Sequence, residues 1–227
     1  LSKLIFDPEI RPVQSIAGES PVPAERLTPK GLRQYFSELP PWTPEMMDEQ
    51  LVYKTTVTAP TLASVLMPIV ARDDGLTLLL TQRTAHLNDH AGQVSFPGGR
   101  VDESDTSAIE TALRETEEEV GLHRRHIEIL GTLPDYLTAT GFQVTPVVAL
   151  VQPPFELRAD PFEVAEIFEV PLAFLMDGVN HQRRSAELPN GKGTRTFYAM
   201  PYGRFFIWGA TAGMLRNLFH FLRAQRV

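Results

Sequence analysis

Residues 107–122 read SAIETALRETEEEVGL, a helix whose two ends and two faces can be read directly. Ser107, with Glu110 three positions on, forms a capping box; Asp105 is the competing cap. Gly121 supplies the left-handed residue that closes a helix. At about 100° per residue, Ile109, Ala112, Leu113, Thr116 and Val120 share one stripe. Glu115, Glu118 and Glu119 fall together on a different flank, while Glu110 and Glu117 project elsewhere. The apolar stripe requires another layer of structure to cover it.

The rest of the chain supplies candidates for that layer. Ser64 to Val70 and Leu76 to Thr81 are short apolar runs on either side of Asp73-Asp74-Gly75, which predicts a hairpin. Val144 to Val151 is strand-like, and Glu163 to Phe174 carries a mixed apolar pattern ending near Pro171. Asn190-Gly191-Lys192-Gly193 predicts a turn between two strands. Phe205 to Trp208 leads as a last strand into an apolar-faced helix over Thr211 to Leu222, with Trp208 and that helix expected in the core rather than at a subunit contact. Strands and helices interleave, so the expected class is α/β. Ten of the nineteen prolines lie before residue 69, which interrupts regular structure there except for a short helix over Thr28 to Leu39. The expected organisation is a Pro-rich extension, residues 1–60, packing on a catalytic domain, residues 61–227.

Composition removes several function classes. A formal charge of -7 and the absence of a long Lys/Arg run argue against nonspecific nucleic-acid or anionic-membrane binding. With no cysteine there is no thiolate metal site or thiol nucleophile. No apolar run reaches the roughly 20 residues a membrane helix needs, and the first residues lack the order of a signal peptide. A cytoplasmic enzyme is the expectation. His86 and His90 are four apart but lack the Glu and third ligand of a zinc site. Neither Gly191-Lys192-Gly193-Thr194 nor Gly92 to Ser95 matches a phosphate loop or a nucleophile elbow.

Three carboxylates at i, i+3 and i+4 repel one another by roughly 0.2 to 0.5 kcal/mol per exposed pair. A hard divalent cation offsets that repulsion, because magnesium takes oxygen ligands and bridges carboxylates to phosphates. Arg114, four residues before Glu118, pairs with the cluster and orients it. Taken alone, a Glu-Glu-Glu run is more often a solvated face; the surrounding pattern decides otherwise.

That pattern resembles the Nudix box, G-x5-E-x7-R-E-U-x-E-E-x-G-U, matched directly by Arg114-Glu115, Glu118-Glu119, Gly121 and Leu122. The box glycine lies one residue further from Arg114 than usual, Thr106 stands where the first box glutamate would, and Thr116 replaces an apolar residue. A second signature, that of Nudix enzymes acting on coenzyme A, is L-L-T-x-R-[SA]-x3-R-x3-G-x3-F-P-G-G. Leu79-Leu80-Thr81-Gln82-Arg83-Thr84, Gly92 and Phe96-Pro97-Gly98-Gly99 keep its spacing, with Thr84 for Ser or Ala and Asn88 for Arg. The likeness to the bacterial coenzyme A pyrophosphatase branch extends over roughly residues 60 to 222.

The resemblance implies a Nudix-type α/β/α sandwich with a mixed sheet, and a metal-dependent pyrophosphatase. It implies Mg²⁺ or Mn²⁺ held by Glu115, Glu118, Glu119 and the Gly98 carbonyl, with Glu118 and Glu119 in the catalytic set. Arg83, Gln93 and Phe96 would contact the substrate and Arg114 would orient the acids. Glu163 is the candidate general base, with Glu166 in reserve; the alternative for either is an ordinary helix-surface acid. The implied partner is a nucleoside diphosphate derivative, coenzyme A first, with a homodimer left open. ADP-ribose, dinucleotides or noncanonical nucleoside triphosphates are the rival substrates, and a nucleotide sensor without catalysis is the rival class.

Overall fold

The computed structural model describes residues 7–47, 59–85, 92–187 and 193–225. In chain order the elements are β1 (Val13–Ile16), α1 (Pro29–Ser37), β2 (Thr61–Arg72), β3 (Gly75–Arg83), β4 (Val94–Ser95) and β5 (Gly98–Arg100). They continue with α2 (Ala108–Val120), β6 (Ile127–Thr132), β7 (Tyr136–Leu137), β8 (Phe142–Val151) and β9 (Val164–Pro171). The chain ends in the single turn α3 (Leu172–Leu175), β10 (Gln182–Glu187), β11 (Thr194–Tyr202), β12 (Phe205–Trp208) and α4 (Gly209–Arg223).

The larger sheet has the order β4-β3-β2-β8-β6, with β5 joining β2, β7 joining β8 and β9 joining β3. It is mixed: β2 runs parallel to β8 from Thr61↔Phe142 to Val70↔Val151, and its other pairings are antiparallel. The expected hairpin forms, with Arg72 opposite Gly75. Successive side chains point to opposite faces of a strand, and here both faces are covered. Leu66, Val147 and Ala149 pack with Ala112 and Ile109 of α2. Met67, Ile69, Val148 and Leu150 face the other way, into a core shared with Leu32 and Phe36 of α1 and Leu215, Phe219 and Leu222 of α4. The result is an α/β sandwich with helices on both sides of a mixed sheet. Burial on both faces explains why β2, β3 and β8 read as nearly continuous apolar runs.

The smaller sheet has the order β1-β10-β11-β12, so a strand from the proline-rich region pairs with a strand 171 residues later, Val13 opposite Arg184. Strands β10 and β11 form the expected antiparallel pair, although residues 190–192 of the expected turn lie outside the described residues. The stretch from Glu163 is not helical: Val164–Pro171 is a strand along β3. Apolar residues occupy both of its faces, so periodicity alone does not separate the two states. Among the described residues no helix is long and apolar enough to cross a membrane.

Candidate active site

Helix α2 begins where the capping residues dictate. Ser107 Oγ accepts from the Glu110 amide at 3.2 Å, and Gly121 closes the helix with φ 68°. Asp105 is therefore free of capping duty, and its carboxylate does something else. With the Ala112 stripe fixed on the sheet, Glu115 and Glu119 turn, one helical turn apart, toward β5. The approach is close: a Cβ at Gly99 would stand 2.5 Å from Glu115 Oε2 and 2.7 Å from Oε1, so a side chain there would push that carboxylate aside. Gly98 (φ 149°) adopts backbone that side chains avoid, and its N–H donates to Glu119 Oε2 at 3.2 Å.

Glu119 is 4% exposed. Burial pushes its carboxyl up to about 8, against the Gly98 N–H and the Arg83 charge, and the neighbouring Glu163 and Glu115 add to the rise. Glu115 is also raised, chiefly by burial, with Arg114 opposing and Glu118 and Glu163 reinforcing. The nearest cation to Glu119 is Arg83, whose Nη1 stands 3.9 Å from Oε1. Arg83 Nε is buried and has no hydrogen-bond partner among the described residues. The Arg83 main chain is held by the Gln93 carbonyl at 2.9 Å.

Arg114 is the organiser of the opposite flank. Its Nε and Nη2 donate to the two oxygens of Asp105, each at 2.9 Å, a bidentate fork. Nη2 also donates to the Arg100 carbonyl at 3.2 Å, and Nη1 donates to Glu115 at 2.8 Å and to Glu118 at 3.0 Å. Asp105, set against this cation, is held well below the usual carboxylate range, first by the Arg114 hydrogen bonds and then by the Asp102 amide contact. Asp105 is a residue that sequence reasoning considered only as a cap. It sits in the loop before the helix, where no helical period announces a partner nine residues away.

These groups meet in a cleft of about 740 Å³. Arg83, Gln93, Phe96, Gly98, Glu115, Glu119 and Glu163 all line it; Glu118 and Glu166 do not. Glu118 turns toward Arg114 with its side chain 61% exposed. Glu166 projects from β9 into an ion pair with Arg204. Asn88, His86 and His90 lie outside the described residues. The far wall comes from the second sheet and last helix, through Arg195, Trp208, Thr211 and Met214, and from Phe142 at the start of β8. Of these, the sequence singled out only Trp208 and the last helix, and expected them as core.

The donor set fits a hard dication by charge. Burial raises the proton affinity of both Glu119 and Glu115; Glu163 and Glu115 add to it at Glu119, Glu118 and Glu163 add to it at Glu115, and the charges of Arg83 and Arg114 oppose it. Carboxylate oxygens are the ligands magnesium and manganese prefer. Among the described residues no three His, Asp or Glu side chains are gathered closely enough to share one ion as they stand, because Glu118 faces Arg114.

A family model described as the NUDIX domain matches residues 60–187. The chain is similar to proteins from two Escherichia coli strains, each named Uncharacterized Nudix hydrolase NudL. Each is 46% identical over 159 residues, spanning 69% of this chain and 80% of the relative. Among solved structures, the NUDIX domain of Shewanella oneidensis NrtR complexed with ADP ribose is 25% identical. It covers 56% of this chain and 85% of that one at a TM-score of 0.41. A C. elegans Ap4A hydrolase binary complex is 20% identical over 48% of this chain and 80% of that one, at a TM-score of 0.43.

Proposed function

Because this chain belongs to the Nudix family, it is a hydrolase of diphosphate linkages, and we propose that its substrate is coenzyme A or an acyl derivative of it. The products are then adenosine 3',5'-bisphosphate and (acyl-)4'-phosphopantetheine. The observation that carries the reading is the meeting of two sets of residues in one cleft. Glu115, Glu119 and Glu163 supply the acids; Arg83 and Phe96 come from the upstream coenzyme A signature, and Gln93 lies within its span.

Glu115, Glu119 and the Gly98 carbonyl would hold Mg²⁺ or Mn²⁺, with Glu118 joining by releasing Arg114. When bound, such an ion neutralises phosphate charge and activates the diphosphate toward attack. Glu163 takes the proton of the attacking water as its oxygen bonds to phosphorus and the bridging phosphorus–oxygen bond breaks, so no covalent protein intermediate forms. Arg83, whose Nε has no hydrogen-bond partner among the described residues, contributes charge-assisted bonds to phosphate oxygens. Arg114, anchored on Asp105, holds the Glu115 carboxylate in place.

The test is a Mg²⁺ titration against coenzyme A, ADP-ribose, NADH and nucleoside triphosphates, with products separated by charge. Coenzyme A should yield the two named products, and turnover should vanish with EDTA and in Glu119→Gln. Faster turnover of ADP-ribose or NADH than of coenzyme A would refute the substrate assignment.

A further inference from the structure

The loop between β8 and β9 folds back onto the C-terminal end of α2 and closes on it through main-chain bonds. Arg158 N–H donates to the Val120 carbonyl and Asp160 N–H donates to the Glu119 carbonyl, each at 2.8 Å. These carbonyls belong to the last turn, which has no partner inside the helix. Gly121 leaves the space: a Cβ there would stand 3.2 Å from the Arg158 nitrogen.

At Asp160 the loop turns. Its Oδ1 accepts from the Phe162 amide at 2.8 Å, the local side-chain turn that Asp favours. Its carbonyl accepts from the Glu163 amide at 3.2 Å and the Val164 amide at 2.8 Å. The next tie runs to the end of β3: the Thr84 amide donates to the Glu163 carbonyl at 3.0 Å, and Thr84 Oγ1 donates to the Phe162 carbonyl at 2.9 Å. Phe155 and Leu157 anchor the start of the loop on the Leu79 and Val120 cluster, but Phe162 at the turn is 74% exposed, so apolar burial does not hold the turn itself. Hydrogen bonds set it, and among the described residues Asp160 is the one bonded to the main chain of both Glu119 and Glu163.

We propose that Asp160 is a positioning residue for the hydrolysis: its turn sets where the Glu163 carboxylate stands relative to Glu119. The proposal rests on Glu163 being the proton acceptor. A carboxylate displaced by about 1 Å from its productive place loses up to roughly 100-fold in rate, and removing the Oδ1 acceptor frees the turn to shift on that scale.

The experiment is a double-mutant cycle on the full chain with Mg²⁺ and coenzyme A. Asp160→Ala should lower kcat by roughly 10- to 100-fold with KM unchanged, and Asp160→Asn, whose amide oxygen still accepts from Phe162, should restore it. In the Glu163→Gln background Asp160→Ala should add no further loss. Amide hydrogen exchange supplies a readout independent of turnover: the Phe162 and Glu163 amides should exchange faster in Asp160→Ala and at the wild-type rate in Asp160→Asn. If Asp160→Ala does not fold, Asp160→Ser, with a shorter acceptor, should give an intermediate rate. Equal losses in both backgrounds, failure of Asp160→Asn to rescue, or unchanged exchange would each overturn the proposal. Wild-type turnover in Glu163→Gln would remove the proton-acceptor role and this proposal with it, while the hydrolase assignment is judged separately by Glu119→Gln.

Discussion

Replacing Arg216 with Met should destabilise the fold by about 3 kcal/mol at pH 7 without touching the cleft. Arg216 lies on α4 at 3% exposure. Its guanidinium donates to Glu45 Oε2 from Nε at 3.2 Å and Nη2 at 3.0 Å, to Glu19 from Nη1 at 3.2 Å and Nη2 at 2.8 Å, and to His181 Nδ1 at 3.0 Å. Glu19 and Glu45 precede β2, so this one side chain ties the proline-rich region to the last helix. Breaking a buried pair by removing one partner costs about 3 to 5 kcal/mol. Both carboxylates keep 30% side-chain exposure, which selects the lower end. A second route agrees. Burial pushes Glu45 up, but the His220 hydrogen bond, the Arg216 charge and the Tyr198 hydrogen bond overcome it and bring the carboxyl from 4.5 to about 2. At 1.36 kcal/mol per pKa unit that shift is again about 3 kcal/mol, part of it owed to His220 and Tyr198. For a chain of this length the loss lowers Tm by about 6 to 12 °C.

The sign with pH follows from the lowered carboxyl. Stability from Glu45 is fully present above pH 4.5 and is lost as pH falls toward about 2; Glu19, lowered by its Arg216 hydrogen bonds, acts in the same direction. His181, pushed down to about 4 by burial with the Arg216 charge adding to the fall, stays neutral in the fold while the unfolded chain protonates, so in the wild type it also weakens the fold below pH 6.5. Urea unfolding at pH 7, 5 and 3 reads the difference between wild type and Arg216→Met. The gap should be about 3 kcal/mol at pH 7 and shrink to about half at pH 3. A loss below about 1 kcal/mol, or a gap that does not change with pH, would refute the reasoning.

Three further outcomes concern the cleft. Gly99→Ala places a Cβ 2.5 Å from the Glu115 carboxylate, so it should displace that group and lower kcat/KM by roughly 100-fold with little loss of Tm. Asp105→Ala removes both anchors of the Arg114 fork and should lower activity about 10- to 100-fold, with Asp105→Asn intermediate; steady-state kinetics at saturating Mg²⁺ checks it. Arg83→Met should raise KM for a diphosphate substrate about 10- to 100-fold, the worth of a charge-assisted contact, and a fall in kcat alone would place Arg83 elsewhere in the cycle.

What the chain determines locally, it determines well. Ser107 and Gly121 bound α2 because capping bonds close within four residues. The flank carrying Glu115 and Glu119 follows from 3.6-residue geometry, and the β2–β3 hairpin follows from the residues at its tip. Resemblance of motifs reached further, to the family itself. Tertiary structure decided the rest. The stretch from Val164 became a strand because β3 offers it an edge, and that pairing, not its own pattern, placed Glu163 in the cleft and Glu166 against Arg204. Glu118 turned from the expected cluster to Arg114, Asp105 became an anchor instead of a cap, and Arg216 found acids on a segment more than 170 residues away. Capping and periodicity depend on hydrogen bonds and side-chain directions within a turn or two of the chain. Which distant groups meet depends on how all the apolar faces are buried at once, and no short stretch of sequence carries that sum.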